Sequence, residues 1–220
     1  MARPKIRLDS LLAARGLVAS RAKARDLIGR GKVRVDGKRV TKPALAIDAE
    51  TLIEVDDDVR HFVSRGAEKL IAGLDRFAID PAGAIALDVG ASTGGFTQVL
   101  LQRGAARVYA VDVGHGQLHA VLRADHRVVA LEGTDARELD RTQVPEPVGL
   151  IVADVSFISL TLVLPAAMAL ATPGARLVAL VKPQFEAGRD AIGKGGIVRD
   201  DDAVARALAR VVAVLASRPG

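Results

Sequence analysis

Ala86-Leu-Asp-Val-Gly-Ala-Ser-Thr-Gly-Gly-Phe-Thr97 decides how the chain is read: an apolar run ends in an acid, and a glycine-rich turn then opens into a helical pattern. That layout is a strand, a nucleotide-binding loop and a helix N-terminus. Gly90, Gly94 and Gly95 let the backbone approach a ligand closely, and the first N–H groups of the helix face it. Two phosphate-binding readings fail on single residues. Gly90 and Gly95 have the Walker spacing, but Phe96 stands where that loop needs Lys. The dinucleotide fingerprint needs a glycine at position 92, which is Ser. What remains is a loop for a less anionic nucleoside ligand. Asp88 is placed to accept from an amino group, and Asp112, ending the next apolar run Val108-Tyr-Ala-Val-Asp112, to accept from ribose hydroxyls. S-adenosylmethionine carries both groups.

Outward from this stretch, apolar runs near 84–89, 107–112, 127–131, 148–153 and 175–181 alternate with helical patterns at about 95–104, 115–124, 160–171 and 201–217. A further helix is expected over Phe62 to Leu74, with Lys69 facing away from part of its apolar stripe. The pattern is that of an α/β, doubly wound parallel sheet, whose ligands sit at the carboxyl ends of the strands. Asp88, Asp112, Asp154 and Lys182 occupy such ends, and Asp135 lies in a loop just beyond one. The glycine-rich, basic stretch from Glu186 to Arg199 is expected to form a mobile flap.

The net charge of +5 hides an asymmetry. Residues 1–42 hold 13 Lys/Arg against 3 Asp/Glu, a balance of +10, whereas residues 43–220 hold 18 against 23, a balance of −5. Leu8, Leu11, Leu12 and then Ala24, Leu27, Ile28 recur at helical spacing, with Ser20 as N-cap of the second helix. Lys32-Val-Arg-Val-Asp-Gly-Lys-Arg-Val40 alternates around Asp36-Gly37, a two-residue hairpin signal, and a strand is expected over 51–55. One face of the hairpin packs and the other offers cations. This unit resembles the small αL RNA-binding motif of a ribosomal small-subunit protein and of pseudouridine synthases. By that resemblance Arg21, Lys23, Arg25, Arg30, Lys32 and Arg34 meet phosphates of structured RNA. The module has no aromatic side chain, which suits gripping a folded RNA by shape. The acidic stretch Glu54 to Asp58 reads as a linker, dividing an RNA-binding domain at 1–58 from a second domain at 59–220.

Half of the 220 residues are hydrophobic, enough for a large core and a small one, and cysteine is absent, which excludes disulfides and thiolate metal sites and suits a reducing cytoplasm. No metal site, secretory signal or membrane-spanning run is expected.

Four ordered motifs, Asp88-Val-Gly-Ala-Ser-Thr-Gly-Gly-Phe96, Val111-Asp-Val-Gly-His-Gly-Gln-Leu118, Asp154-Val-Ser-Phe-Ile-Ser-Leu160 and Val181-Lys-Pro-Gln-Phe-Glu186, resemble the TlyA family. Its members are called hemolysins and are known as ribosomal-RNA cytidine 2′-O-methyltransferases with an FtsJ-like domain. The resemblance implies a Rossmann-like domain that binds S-adenosylmethionine through Asp88, Gly90, Ser92, Thr93, Gly94, Gly95, Phe96, Asp112 and Val113. The general methyltransferase layout adds Asp135 and Ala136 at the adenine edge. It also implies a Lys–Asp–Lys–Glu tetrad, matched by Lys69, Asp154 and Lys182, acting on the ribose of ribosomal RNA in ribosomal subunits. The family's last two strands and the tetrad's Glu have no counterpart in this chain, so the strand near 175–181 is expected to be unpaired on one side, and Glu186 is no obvious substitute. His115 and Asp135 replace the more usual Tyr and Asn. Two other readings stand beside the enzyme: an RNA-binding protein that holds the cofactor without turnover, and a membrane-lytic protein.

Overall fold

The computed structural model describes residues 5–18, 20–56, 62–188, 191–193 and 195–217. The chain divides into two compact units, Met1–Phe62 and Val63–Gly220. The division falls after Phe62, and residues 57–61, which include the end of the expected linker, lie outside the described residues.

In the first unit β1 (Lys5–Arg7) leads directly into α1 (Leu8–Ala14), followed by α2 (Arg21–Gly29), β2 (Val33–Val35), β3 (Lys38–Val40), β4 (Ala46–Asp48) and β5 (Ile53–Val55). The Ser20 hydroxyl accepts from the backbone N–H of Lys23 at 3.2 Å and starts α2 as its sequence predicts. Strands β2 and β3 pair antiparallel with Val33 opposite Val40, and Asp36 and Gly37 both take positive φ, the tight-hairpin geometry. Strand β5 adds to the other side of β2, so Glu54 belongs to a strand and not to a linker. A second ribbon joins β1 to β4. Neither of these three-residue strands is long enough to show a period in the sequence. Leu8, Leu12, Ala24, Leu27, Ile28 and Val33 are wholly buried between the helices and the hairpin.

The second unit is a five-stranded, fully parallel sheet: β6 (Ile85–Val89), β7 (Arg107–Asp112), β8 (Val128–Glu132), β9 (Val148–Ala153) and β10 (Ala171–Ala179), in the spatial order β10-β9-β6-β7-β8. Helices are α3 (Gly66–Arg76), α4 (Gly95–Gln102), α5 (Ala120–Arg123), α6 (Leu160–Ala169), α7 (Pro183–Glu186) and α8 (Asp201–Ala216). After β6 the chain works outward through β7 and β8, then crosses to β9 on the far side of β6. That reversal opens a crevice at the carboxyl ends of β6 and β9.

Three expected elements shift. The helix at 115–124 shrinks to α5, because the Glu132 carboxylate captures the N–H groups of Gln117 (2.8 Å) and Leu118 (3.0 Å) and holds 113–119 as a loop. The helix expected from Phe62 begins at Gly66, since the Gln98 side chain binds the N–H of Val63 at 2.9 Å. Strand β10 starts at Ala171 and is interrupted: Ala171 pairs with Val148 and pairing resumes only at Arg176 with Leu150. Among the described residues β10 pairs with β9 alone and forms the sheet edge.

Candidate active site

The crevice holds a cavity of about 370 Å³ built from the loops after β6, β7, β8 and β9. Its walls are Gly90 and Ser92, then Val111, Asp112, Val113 and Gln117, then Thr134, Asp135 and Ala136, and finally Asp154 to Ile158 with Val163. Of the expected cofactor residues, Gly90, Ser92, Asp112, Val113, Asp135 and Ala136 are brought together here. Asp88, Thr93, Gly94, Gly95 and Phe96 are not part of the wall. Thr93 is exposed, whereas the two glycines and Phe96 have packing reasons for their places. A Cβ on Gly94 would lie 2.3 Å from Leu122 and 2.8 Å from Leu118, and one on Gly95 would lie 2.0 Å from the Ser64 hydroxyl. Phe96 is 4% exposed in the core. Only Gly90 serves the crevice itself: at φ +85° its absent Cβ would meet the Asp154 carbonyl at 2.9 Å, so the loops after β6 and β9 touch.

Asp88 is wholly buried and accepts from the Thr97 hydroxyl at 2.6 Å. Its other oxygen, Oδ1, has no partner. Burial pushes the carboxyl up to about 7, against the pull of the Thr97 hydrogen bonds. Asp112 spends one oxygen on the N–H of Ser92 and the other on that of Gly114, each at 2.8 Å, and thereby clamps the first two loops while lining the cavity. Asp135 caps the short turn Ala136–Glu138 through the N–H of Arg137, and the Arg137 guanidinium holds its carboxyl down at about 2.

Asp154 follows β9 directly, and its N–H donates to the Val89 carbonyl at 3.1 Å. Two lysines converge on its carboxylate. Lys182 Nζ stands 2.7 Å from Oδ1 and Lys69 Nζ 4.0 Å from Oδ2. Lys182, the N-cap residue of α7, also donates to the Ser156 hydroxyl at 2.8 Å. The contact of Lys182 with Oδ1 is one of charge; its directed hydrogen bond goes to Ser156. Lys69 is more exposed, at 55% against 20% for Lys182. The three residues taken from spread-out sequence positions therefore form one cluster at the rim of the cavity.

Sequence reasoning overlooked Glu132, Gln117 and Phe157. Glu132 ends β8 just as Asp112 ends β7, so the strand-end rule could have found it; backbone N–H groups at 117 and 118 and the Arg123 guanidinium hold its carboxyl at about 2. Gln117 stands inside a quoted motif and accepts from the Ser92 hydroxyl at 3.2 Å. Phe157 is 91% exposed at φ +65° and forms part of the cavity mouth, with its ring 5.1 Å from that of Phe185. In a chain with only 3% aromatic residues, a phenylalanine just after a strand-end acid was the available signal.

On the first unit the expected RNA residues separate into two groups. Arg21 is drawn to the buried Asp9, which Arg7 also grips bidentately. Lys23 donates to the Phe62 carbonyl, Arg30 pairs with Asp26 at 3.5 Å and Lys32 with Asp56 at 3.1 Å. Arg25 and Arg34 are exposed. Arg34 stands between Arg39 across the hairpin and Glu54 on the strand at its other side.

No group of side chains able to hold a metal ion, and no helix long and apolar enough to cross a membrane, occurs among the described residues. Residues 62–218 match the FtsJ-like methyltransferases and residues 6–53 the S4 domain. The chain is 53% identical over 208 residues to the 16S/23S rRNA (cytidine-2′-O)-methyltransferase TlyA of Mycobacterium tuberculosis, covering 94% of this chain and 78% of that one. It is 44% identical over 197 residues to Hemolysin A of Brachyspira hyodysenteriae, covering 89% and 82%. A hemolysin-named protein of Streptococcus thermophilus, of known structure, superposes with a TM-score of 0.70 at 42% identity, over 96% of this chain and 78% of that one. Matched in both units and along nearly its whole length, the chain belongs to the TlyA family of FtsJ-like methyltransferases that carry an S4 domain.

Proposed function

We propose that this protein transfers a methyl group from S-adenosylmethionine to the ribose 2′-oxygen of cytidines in ribosomal RNA, in the cytoplasm. The observation that carries the reading is the convergence of Lys69 and Lys182 on Asp154 at the rim of the cavity.

The cavity suits the cofactor in charge and in apolar surface. Its lining holds Asp112, Asp135 and Asp154 and no Lys or Arg, which favours a ligand bearing a sulfonium and an ammonium and disfavours a pyrophosphate. Val111, Val113, Ala136 and Val163 supply apolar surface for a purine. When bound, the cofactor supplies an electrophilic methyl whose bond to sulfur breaks as the bond to oxygen forms.

This chain's own residues then have two tasks: to hold the ribose in line, and to favour a hydroxyl oxygen that gives its proton to bulk water at the open mouth of the cavity, or to the Lys182 amine, as the new C–O bond forms. Two ammonium groups gathered by one carboxylate stabilise negative charge on that oxygen. Held 2.7 Å from Asp154 Oδ1, the Lys182 amine is placed to act on the ribose oxygen, by stabilising its charge or by taking its proton. The exposed face of Phe157 offers a stacking surface to the base of an unpaired acceptor nucleotide. The basic first unit supplies grip on folded RNA.

The test is methyl transfer to unmethylated ribosomal subunits followed by digestion to nucleosides. Label is expected in 2′-O-methylcytidine. Label confined to base-methylated nucleosides would refute the reading.

A further inference from the structure

Helix α7 is four residues long, too short to be stable by itself, yet its N-cap is Lys182. What holds it is at its other end. Glu186 is 8% exposed, and its carboxylate accepts from the backbone N–H of Leu160 at 2.8 Å and from the Ser159 hydroxyl, 26 and 27 residues away in sequence. Ser159 is the N-cap of α6, so an anion is planted where that helix exposes unpaired N–H groups. The Glu186 carbonyl in turn accepts from the Arg210 guanidinium on α8.

Two short segments are thus fastened side by side. Residue 154 meets 182 by charge at 2.7 Å, Ser156 meets Lys182 at 2.8 Å, Phe157 meets Phe185 ring to ring, and Ser159 with Leu160 meets Glu186. The Lys182–Asp154 contact is part-buried but carries no directed hydrogen bond, the bond to Ser156 is exposed, the rings touch without a polar bond, and ahead of Lys182 the Leu180 N–H donates to the Ala153 carbonyl at 2.8 Å. Only the last is buried, charged and directed at two donors at once.

We propose that Glu186 is a positioning residue for the methyl-transfer centre: it locks the segment bearing Lys182 to the segment bearing Asp154 and so sets the place of the Lys182 ammonium. It touches neither substrate nor cofactor. The inference rests on the reading of this cluster as the methyl-transfer centre.

Glu186→Gln keeps shape and one acceptor but removes the charge. Its kcat for ribosomal RNA is expected to fall by about 10- to 100-fold, the scale of a displacement near 1 Å at a reacting centre. The Kd for S-adenosylmethionine and the KM for RNA stay within about twofold. Ser159→Ala, which removes one donor, is expected to lower kcat about threefold or more in the same pattern. A readout independent of turnover is lysine acylation followed by mass spectrometry. Labelling of Lys182 rises severalfold in Glu186→Gln while that of Lys69 is unchanged. Unaltered Lys182 labelling overturns the proposal, whether or not the parent chain is active. So does a loss of kcat accompanied by an equal loss of cofactor binding, which would mark Glu186 as a general structural residue. An inactive parent chain with raised Lys182 labelling in the variant would refute the methyltransferase reading and leave the lock standing.

Discussion

Asp88 illustrates how a motif residue changes meaning once its surroundings are known. As the acid closing an apolar run it reads as a ligand acceptor, but it lies under the loop, bonded to Thr97 and cut off from solvent. Its carboxyl is raised in the folded state, to about 7, above its ordinary value of 3.8. The folded chain therefore binds more protons than the unfolded one between those values, and this residue's contribution makes stability fall as pH rises from about 4 to 7. A shift of about 3 units corresponds to at most about 4 kcal/mol. Asp88→Asn is expected to flatten that part of the profile in urea unfolding between pH 4 and 7. An unchanged profile would show that Asp88 is ionised in the fold. Asp112, Asp154 and Lys182 were legible because strands of a parallel sheet point their ends at one crevice. The partners of Asp112 and Lys182 were not, since Ser92, Gly114 and Ser156 are common residues whose roles depend on how loops meet.

At the scale of elements, the glycines of the quoted stretch serve the junction of two helices and a loop as much as any ligand. Gly94, the N-cap of α4 at φ +96°, lies under Leu118 and Leu122. Gly94→Ala combines backbone strain with overpacking and should cost about 2–4 kcal/mol. Gly83, at φ +72°, has nothing within 4 Å of a built Cβ, so Gly83→Ala carries the strain alone and should cost about 1 kcal/mol. Thermal unfolding of both variants checks the difference; equal losses would mean that the leucines move aside. The order of strands and helices was readable from long apolar runs. The ribbon of β1 and β4, the loop at 113–119 and the anchoring of α7 were not, because they depend on three-residue pairings and on side chains far apart in sequence.

For the whole molecule, the cationic surplus belongs to the first unit, where residues 1–62 hold 14 Lys/Arg against 9 Asp/Glu, while residues 63–220 hold 17 against 17 and carry the acid-lined cavity; within the first unit the cations crowd into 1–42 and the acids into 43–62. RNA affinity should accordingly depend on salt. Arg25→Ala and Arg34→Ala, both at exposed positions, are expected to weaken RNA binding and to reduce the slope of log affinity against log salt by about 1 each. Arg21→Ala should also destabilise the first unit, by about 1–3 kcal/mol, because it strips a partner from the buried Asp9. Filter binding over a salt series, with unfolding of the same variants, separates the two effects. A shared result for all three arginines would contradict the assignment.

The most direct measurement is single-turnover methyl transfer from S-adenosylmethionine to unmethylated ribosomal subunits by the chain and by Lys182→Ala, with cofactor affinity measured in both. The account predicts transfer to ribose 2′-oxygens by the parent chain and a loss of about 10²-fold or more in the variant, with cofactor affinity retained. Transfer at an undiminished rate by Lys182→Ala would contradict it.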